Sequence, residues 1–113
     1  MRNFFSDKEM ECHCCHFQAM DPDFMQKLNA ARAMADIPFY ITSGFRCDQH
    51  NKDVGSTSTN HTTGRAVDIR CTSSPNRKII IAALLEAGMS GLGVGKDFIH
   101  CDTNHDTGML WLY

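Results

Sequence analysis

Two histidines and an aspartate with a defined spacing are the residues here most able to do chemistry. His61 is followed seven positions later by Asp68, and His100 comes later still, in the run Asp97-Phe98-Ile99-His100. Two imidazoles and a carboxylate make three ligands, the number a catalytic zinc keeps, because a fourth position then stays open for water. Arg46, in Ser43-Gly44-Phe45-Arg46, offers a fixed positive charge to steady an oxyanion, and Asp97 or Asp102 offers a proton acceptor. The chemistry implied is metal-assisted hydrolysis.

Strand parity tests whether these ligands can meet. If residues 65–70 form a strand, Asp68 shares a face with Ala66 and Arg70, while Val67 and Ile69 point the other way. Over 98–102, Phe98, His100 and Asp102 share a face opposite Ile99 and Cys101. The apolar residues of each strand can then enter a core while Asp68 and His100 project together from the opposite side. His61 arrives on the preceding loop, which Gly64 lets fold back. Parity also sets Asp102 on the side of His100, so Asp102 stands as a rival to Asp97 for the base or as a partner that orients a ligand.

The surrounding elements follow from capping and periodicity. Asp21-Pro22 reads as an N-cap with proline in the first turn, and Phe24, Leu28, Ala31 and Ala35 share one face of a helix over 22–35. Ser74-Pro75 repeats the signal for a helix carrying Ile79, Ile80, Ala83, Leu84 and Ala87 and ending at Gly88. Strands are expected at 39–42, 65–70, 91–95, 98–102 and 109–113. The first 20 residues read as irregular, and the polar stretch 47–62 as a long loop of the kind that carries function. Short glycine-containing turns between the late strands favour an α+β domain, a small antiparallel sheet with two main helices packed on it.

With 113 residues, a single domain over 1–113 is expected. Hydrophobic content of 42% and charged content of 21% suit a water-soluble globular chain. No apolar run approaches the roughly 20 residues needed to span a bilayer, so no membrane insertion is expected. The formal charge of -2, without a basic stripe, argues against nucleic acid as partner. The N-terminus lacks an apolar h-region, so synthesis in the cytoplasm without a signal peptide is expected.

Six cysteines are many for this length. Cys12, Cys14, Cys15 and His16 could form a second zinc site; buried thiols, or one disulfide from this segment to Cys47, is the preferred reading. Cys47, Cys71 and Cys101 are isolated in sequence. Leu110, Trp111 and Tyr113 read as sheet core rather than a substrate platform, His105 as a solvated turn residue, and His50 with Asn51 as a candidate to orient Arg46.

Ser43-Gly-Phe-Arg46, His50-Asn51, Val54-Gly55, the His61-x6-Asp68 segment with Gly64-Arg-Ala66, and Phe98-Ile-His-Cys-Asp102 resemble the zinc D-Ala-D-Ala carboxypeptidase family. That family includes vancomycin-resistance dipeptidases, phage L-alanyl-D-glutamate endolysins and, by fold, the zinc-bearing domain of hedgehog proteins. The resemblance spans roughly Phe5 to Asp102. It implies a hedgehog-like fold, Zn2+ held by His61, Asp68 and His100, Arg46 on the scissile carbonyl and Asp97 as general base. Thr59 stands where the family often has serine, and Asp97 where many members carry Glu or His. The implied substrate is a peptidoglycan stem peptide, cut at a D-Ala-D-Ala, L-Ala-D-Glu or meso-diaminopimelate linkage. A monomer is expected, and small size without an export signal suits a phage or bacterial lytic enzyme acting on the cell wall after release, and a cytoplasmic dipeptidase as well. The implied alternative is a zinc-stabilised binding module of the same fold without catalysis.

Overall fold

The computed structural model describes residues 3–56 and 60–113. In chain order it contains α1 (Asp7–Met10), α2 (Pro22–Ala35), β1 (Tyr40–Ser43), α3 (Asp48–Asp53), a 3-10 turn (Asn60–Thr63), β2 (Ala66–Arg70), α4 (Ser74–Ala87), β3 (Gly91–Val94), β4 (Phe98–Asp102) and β5 (Met109–Leu112). Five strands form one sheet in the order β1-β2-β4-β3-β5. The α+β class expected from sequence is the class observed.

The two long helices start and stop for local reasons. Asp21 caps α2 by accepting the Phe24 amide at 2.9 Å, with Pro22 in the first turn, where its missing N–H costs nothing. For α4 the cap is Ser73, one residue earlier than the sequence suggested, because Ser73 rather than Ser74 accepts the Asn76 amide. Gly88 ends that helix in the left-handed conformation, at φ 97°. Phe24, Leu28 and Ala31 of α2 and Ile80, Ala83 and Leu84 of α4 are buried against Val67, Ile69, Leu92, Ile99 and Cys101 of the sheet. Ile79, placed with the core by periodicity, lies on the exposed side.

The two central strands carry the parity predicted for them. β2 and β4 are antiparallel neighbours, with Asp68 opposite His100 and Ala66 opposite Asp102. Val67, Ile69, Ile99 and Cys101 face the helices, which leaves Asp68, His100 and Asp102 on the other face. A register irregularity between Ile41 and Ser43 sets Ser43 beside Asp68, at the point where β1 gives way to the loop bearing Arg46.

Several segments differ from expectation. The sheet is mixed rather than wholly antiparallel: β5 lies parallel to β3. The reason is that the link over 103–108 passes the end of β3 instead of turning back beside β4. The Met109 amide bonds Ser90 O at 2.8 Å, and the His105 amide bonds Ser90 Oγ at 3.2 Å on the way. β5 is therefore an edge strand, and Leu110 and Tyr113 are exposed rather than core. The irregular N-terminus holds α1, closed by a capping box between Ser6 and Glu9. The polar stretch after Cys47 holds α3 and the 3-10 turn. Among the described residues, no helix is long and apolar enough to cross a membrane.

Candidate metal centre

Two elements bring imidazoles to Asp68 of β2. The 3-10 turn delivers His61, whose Nε2 lies 3.3 Å from Asp68 Oδ1, and β4 delivers His100, whose Nδ1 lies 3.0 Å from the same oxygen. One ligand atom from each residue lies within 4.8 Å of the other two. Gly64 makes the return of the 3-10 turn into β2 possible. It sits at φ 73°, with the Ala19 carbonyl where a β-carbon would be, and its own carbonyl accepts the Asp21 amide at 2.8 Å.

The second nitrogen of each ring fixes its tautomer. His61 Nδ1 is 2.9 Å from the Gly44 carbonyl, so Nδ1 carries the proton and Nε2 presents a lone pair. His100 Nε2 is 2.6 Å from Asp102 Oδ2, so Nε2–H donates there and Nδ1 presents its lone pair. Two imidazole lone pairs and a carboxylate oxygen aimed at one point are mutually repulsive unless a proton or a cation lies between them. The donor set is borderline-soft nitrogen plus carboxylate oxygen, which suits zinc. An imidazole donating its other N–H to a carbonyl or carboxylate is the arrangement that orients a metal-binding histidine. The residues fit the ion.

The electrostatics carry the same imprint. Burial works against ionising Asp68, yet when a proton rather than an ion sits between its oxygen and the rings of His100 and His61, those imidazoles hold its carboxyl well below the usual range. Burial pushes the His100 imidazole down, but Asp102 and Asp68 together raise it above an ordinary histidine. Asp102 is fully buried; burial opposes its charge, while His100 and the Asn104 amide, 3.1 Å from Oδ1, lower it overall. Both carboxylate oxygens of Asp102 are thus committed inside the protein.

Arg46 comes to the same place from the loop after β1. Its Nη2 lies 3.6 Å from Asp68 Oδ2, Nε donates to Ser43 Oγ at 3.2 Å, and Nη1 donates to Asn51 Oδ1 at 3.2 Å. Asn51, not His50, therefore orients the guanidinium. The His50 ring packs edge-on against His13 instead, at 5.6 Å between centroids. Arg46, His61, Asp68 and His100 share an open cavity of about 250 Å³ with Ser56, Asn60, Phe98 and Tyr113. A larger groove of about 390 Å³, lined by Asp23, Lys27 and Ala87 among others, gathers no comparable set of donors.

Asp97 is not among the residues lining the cavity. It is exposed in the turn before β4, and its carbonyl accepts the Cys71 amide at 2.9 Å. His105 is not the solvated turn residue expected: its Nε2 stands 3.5 Å from Asp102 Oδ1 and its ring packs on Trp111. Trp111 and Tyr113, expected as core, belong to the site's surroundings. The Trp111 ring lies 5.4 Å from that of His100, and the Tyr113 ring 4.9 Å from that of Phe98. Gly93 makes room for both, since a β-carbon there would strike Trp111 and Tyr113. The one signal for this in the sequence was the glycine alternation Gly91-Leu92-Gly93, which marks a strand face approached closely by something else. Thr59 lies outside the described residues.

The family model described as Peptidase M15 matches residues 3–102 of the chain. A comparison with curated proteins finds no match.

Proposed function

The chain belongs to the Peptidase M15 family, and on that premise we propose that it is a zinc-dependent peptidase that hydrolyses peptide bonds in peptidoglycan stem peptides. The observation that carries this reading is the convergence of His61 Nε2, His100 Nδ1 and Asp68 Oδ1 within a cavity that also receives Arg46. His61, Asp68 and His100 would hold the ion. Zinc, when bound, acts as a Lewis acid toward a carbonyl and makes water acidic enough to be a nucleophile near neutral pH.

The remaining work falls to the protein's own groups. Arg46 is fastened at three of its nitrogens, so its charge is already aimed when a substrate carbonyl arrives. As water adds to that carbonyl, negative charge gathers on oxygen, and a fixed guanidinium stabilises it with little reorganisation. Asp102 keeps the His100 ring in the ligating tautomer. Phe98 and Tyr113 give the cavity apolar walls that hold the peptide and thin the water around the reacting carbon.

Asp97 takes the proton in this reading, a role supported by its place one residue before the cavity-lining Phe98 and by its free exposure to solvent. The role requires its carboxylate to swing past Phe98 when substrate binds, and catalytic contacts of this kind commonly tighten only in the complex. Asp102, with both oxygens engaged, suits ligand positioning better than proton transfer.

The test is to incubate zinc-loaded protein with defined muropeptides and read the fragments by mass spectrometry. The expected result is cleavage at a single bond of the stem peptide, either D-Ala-D-Ala or L-Ala-D-Glu, abolished together with zinc binding at this site in His61→Ala. Full turnover by His61→Ala, or tight muropeptide binding without cleavage by the zinc-loaded wild type, would refute the peptidase reading; the latter favours a binding module.

A further inference from the structure

Four of the six cysteines meet away from the centre described above. Cys12, Cys14 and Cys15 lie in the turn after α1, and Cys47, 35 residues beyond Cys12, caps the start of α3. The sulfur of Cys14 is 3.3 Å from that of Cys47, and the sulfur of Cys12 is 3.6 Å from each of them. With Cys15 included, all four sulfurs fall within 4.8 Å of one another. Four thiolates at about 2.3 Å around a tetrahedral zinc would stand about 3.8 Å apart. The observed spacings are close to that edge length.

Burial does not account for this gathering. Cys12 is fully buried and Cys47 partly so, but Cys14 and Cys15 are exposed. Apolar packing buries a thiol as a small hydrophobe; it gives no reason to turn two solvent-facing thiols onto a third and fourth. The backbone is arranged for thiolates as well. The Cys47 amide donates to Cys12 Sγ at 3.4 Å, and the His50 amide donates to Cys47 Sγ at 3.4 Å. The turn itself is tightly closed: the His16 amide bonds Cys12 O at 2.9 Å, and the Cys12 amide bonds Phe17 O at 2.7 Å. His16 is turned outward toward Glu11, so Cys47 takes the fourth position that the sequence had offered to His16.

We propose that Cys12, Cys14, Cys15 and Cys47 form a second metal site, structural in kind, for a thiophilic divalent ion, with zinc the ion expected. Four thiolates leave no coordination position open, which marks a site that staples chain segments rather than one that activates water. It joins the N-terminal turn to the loop that carries Arg46.

Elemental analysis of the full chain, purified under reducing conditions and desalted, tests this directly. Two ions per chain are expected in the wild type and one in His61→Ala. One is also expected in the double variant Cys14→Ser, Cys15→Ser, whose changed side chains are exposed. Loading with cobalt(II) should give the wild type and His61→Ala strong sulfur-to-cobalt charge-transfer absorption, absent from the double variant. Should that variant misfold, the wild type still decides the matter: Cys14 and Cys15 should resist a maleimide reagent until a chelator is added. Iron on the same four sulfurs would support the site equally. A single ion lost in His61→Ala, no thiolate absorption with cobalt, or a reductant-sensitive bond between Cys47 and the N-terminal turn would overturn it.

Discussion

Replacing Asp102 by asparagine separates the two roles open to that residue. Its carboxylate is fully buried, with Oδ2 2.6 Å from His100 Nε2 and Oδ1 3.1 Å from the Asn104 amide. Both neighbours donate. Asparagine of the same shape has one oxygen and one NH2, so in either orientation a donor must face a donor. If its oxygen stays on His100, the imidazole loses a charged acceptor; if it turns away, the ring is pushed toward the wrong tautomer. A hydrogen bond to a charged partner contributes about 1.5–3 kcal/mol, and carboxylates behind metal-binding histidines typically change metal affinity by about 10- to 100-fold. The two figures agree, since tenfold corresponds to about 1.4 kcal/mol. Zinc affinity at the His61 centre should therefore fall by that factor in a competition assay with a chromophoric chelator. The variant carries Cys14→Ser and Cys15→Ser so that only this centre is read. At saturating zinc, kcat should change by only a few fold. Unchanged affinity with a hundredfold loss in kcat would place Asp102 in the proton transfer and refute the positioning argument.

Asp97→Asn should lower kcat by about 100- to 10,000-fold at unchanged zinc content; a kcat within a few fold of wild type removes Asp97 from the chemistry. Gly91→Ala would drive a β-carbon into both carboxylate oxygens of Asp102, so it should cost about 1–3 kcal/mol of stability in denaturant unfolding and weaken zinc binding. Wild-type values for both would contradict the packing described. In the metal-free protein the raised pKa of His100 means that a proton competes for Nδ1 at pH values above the ordinary histidine range. Zinc affinity should thus decline as pH is lowered, beginning above pH 6.5, and a pH-independent affinity between pH 6 and 8 would show that no such competition exists.

The meeting of the candidate ligands was legible because it rests on short-range rules. Alternation along β2 and β4 placed Asp68 and His100 on the side opposite Val67, Ile69, Ile99 and Cys101, and their pairing in register needed only that the strands be neighbours. The long helices were legible for the same reason, since Asp21-Pro22 and Gly88 act within a turn. What escaped depends on distant parts of the chain. The parallel placement of β5 follows from how 103–108 passes Ser90, which no local pattern announces, and it set Tyr113, read as core, into the wall of the cavity. Of the pair His50 and Asn51 offered for Arg46, only Asn51 reaches it, while His50 packs on His13 from α3, which forms where a loop was expected. The sequence offered Cys47 to the N-terminal segment only as one end of a disulfide; that Cys12, Cys14 and Cys15 all gather on it as free thiols, Cys12 across 35 positions, was not legible.

Because Asp68 and His100 face each other across the hydrogen-bonded ladder of the two inner strands, half of the centre is assembled by the act of folding itself. Only His61 and Arg46 ride on connecting segments, and these alone have freedom left to surrender when an ion arrives. Amide exchange should accordingly slow on zinc uptake around Gly44 to Arg46 and Asn60 to Gly64, while the inner strands, whose opening tends toward that of the whole molecule, keep the same protection with or without the ion.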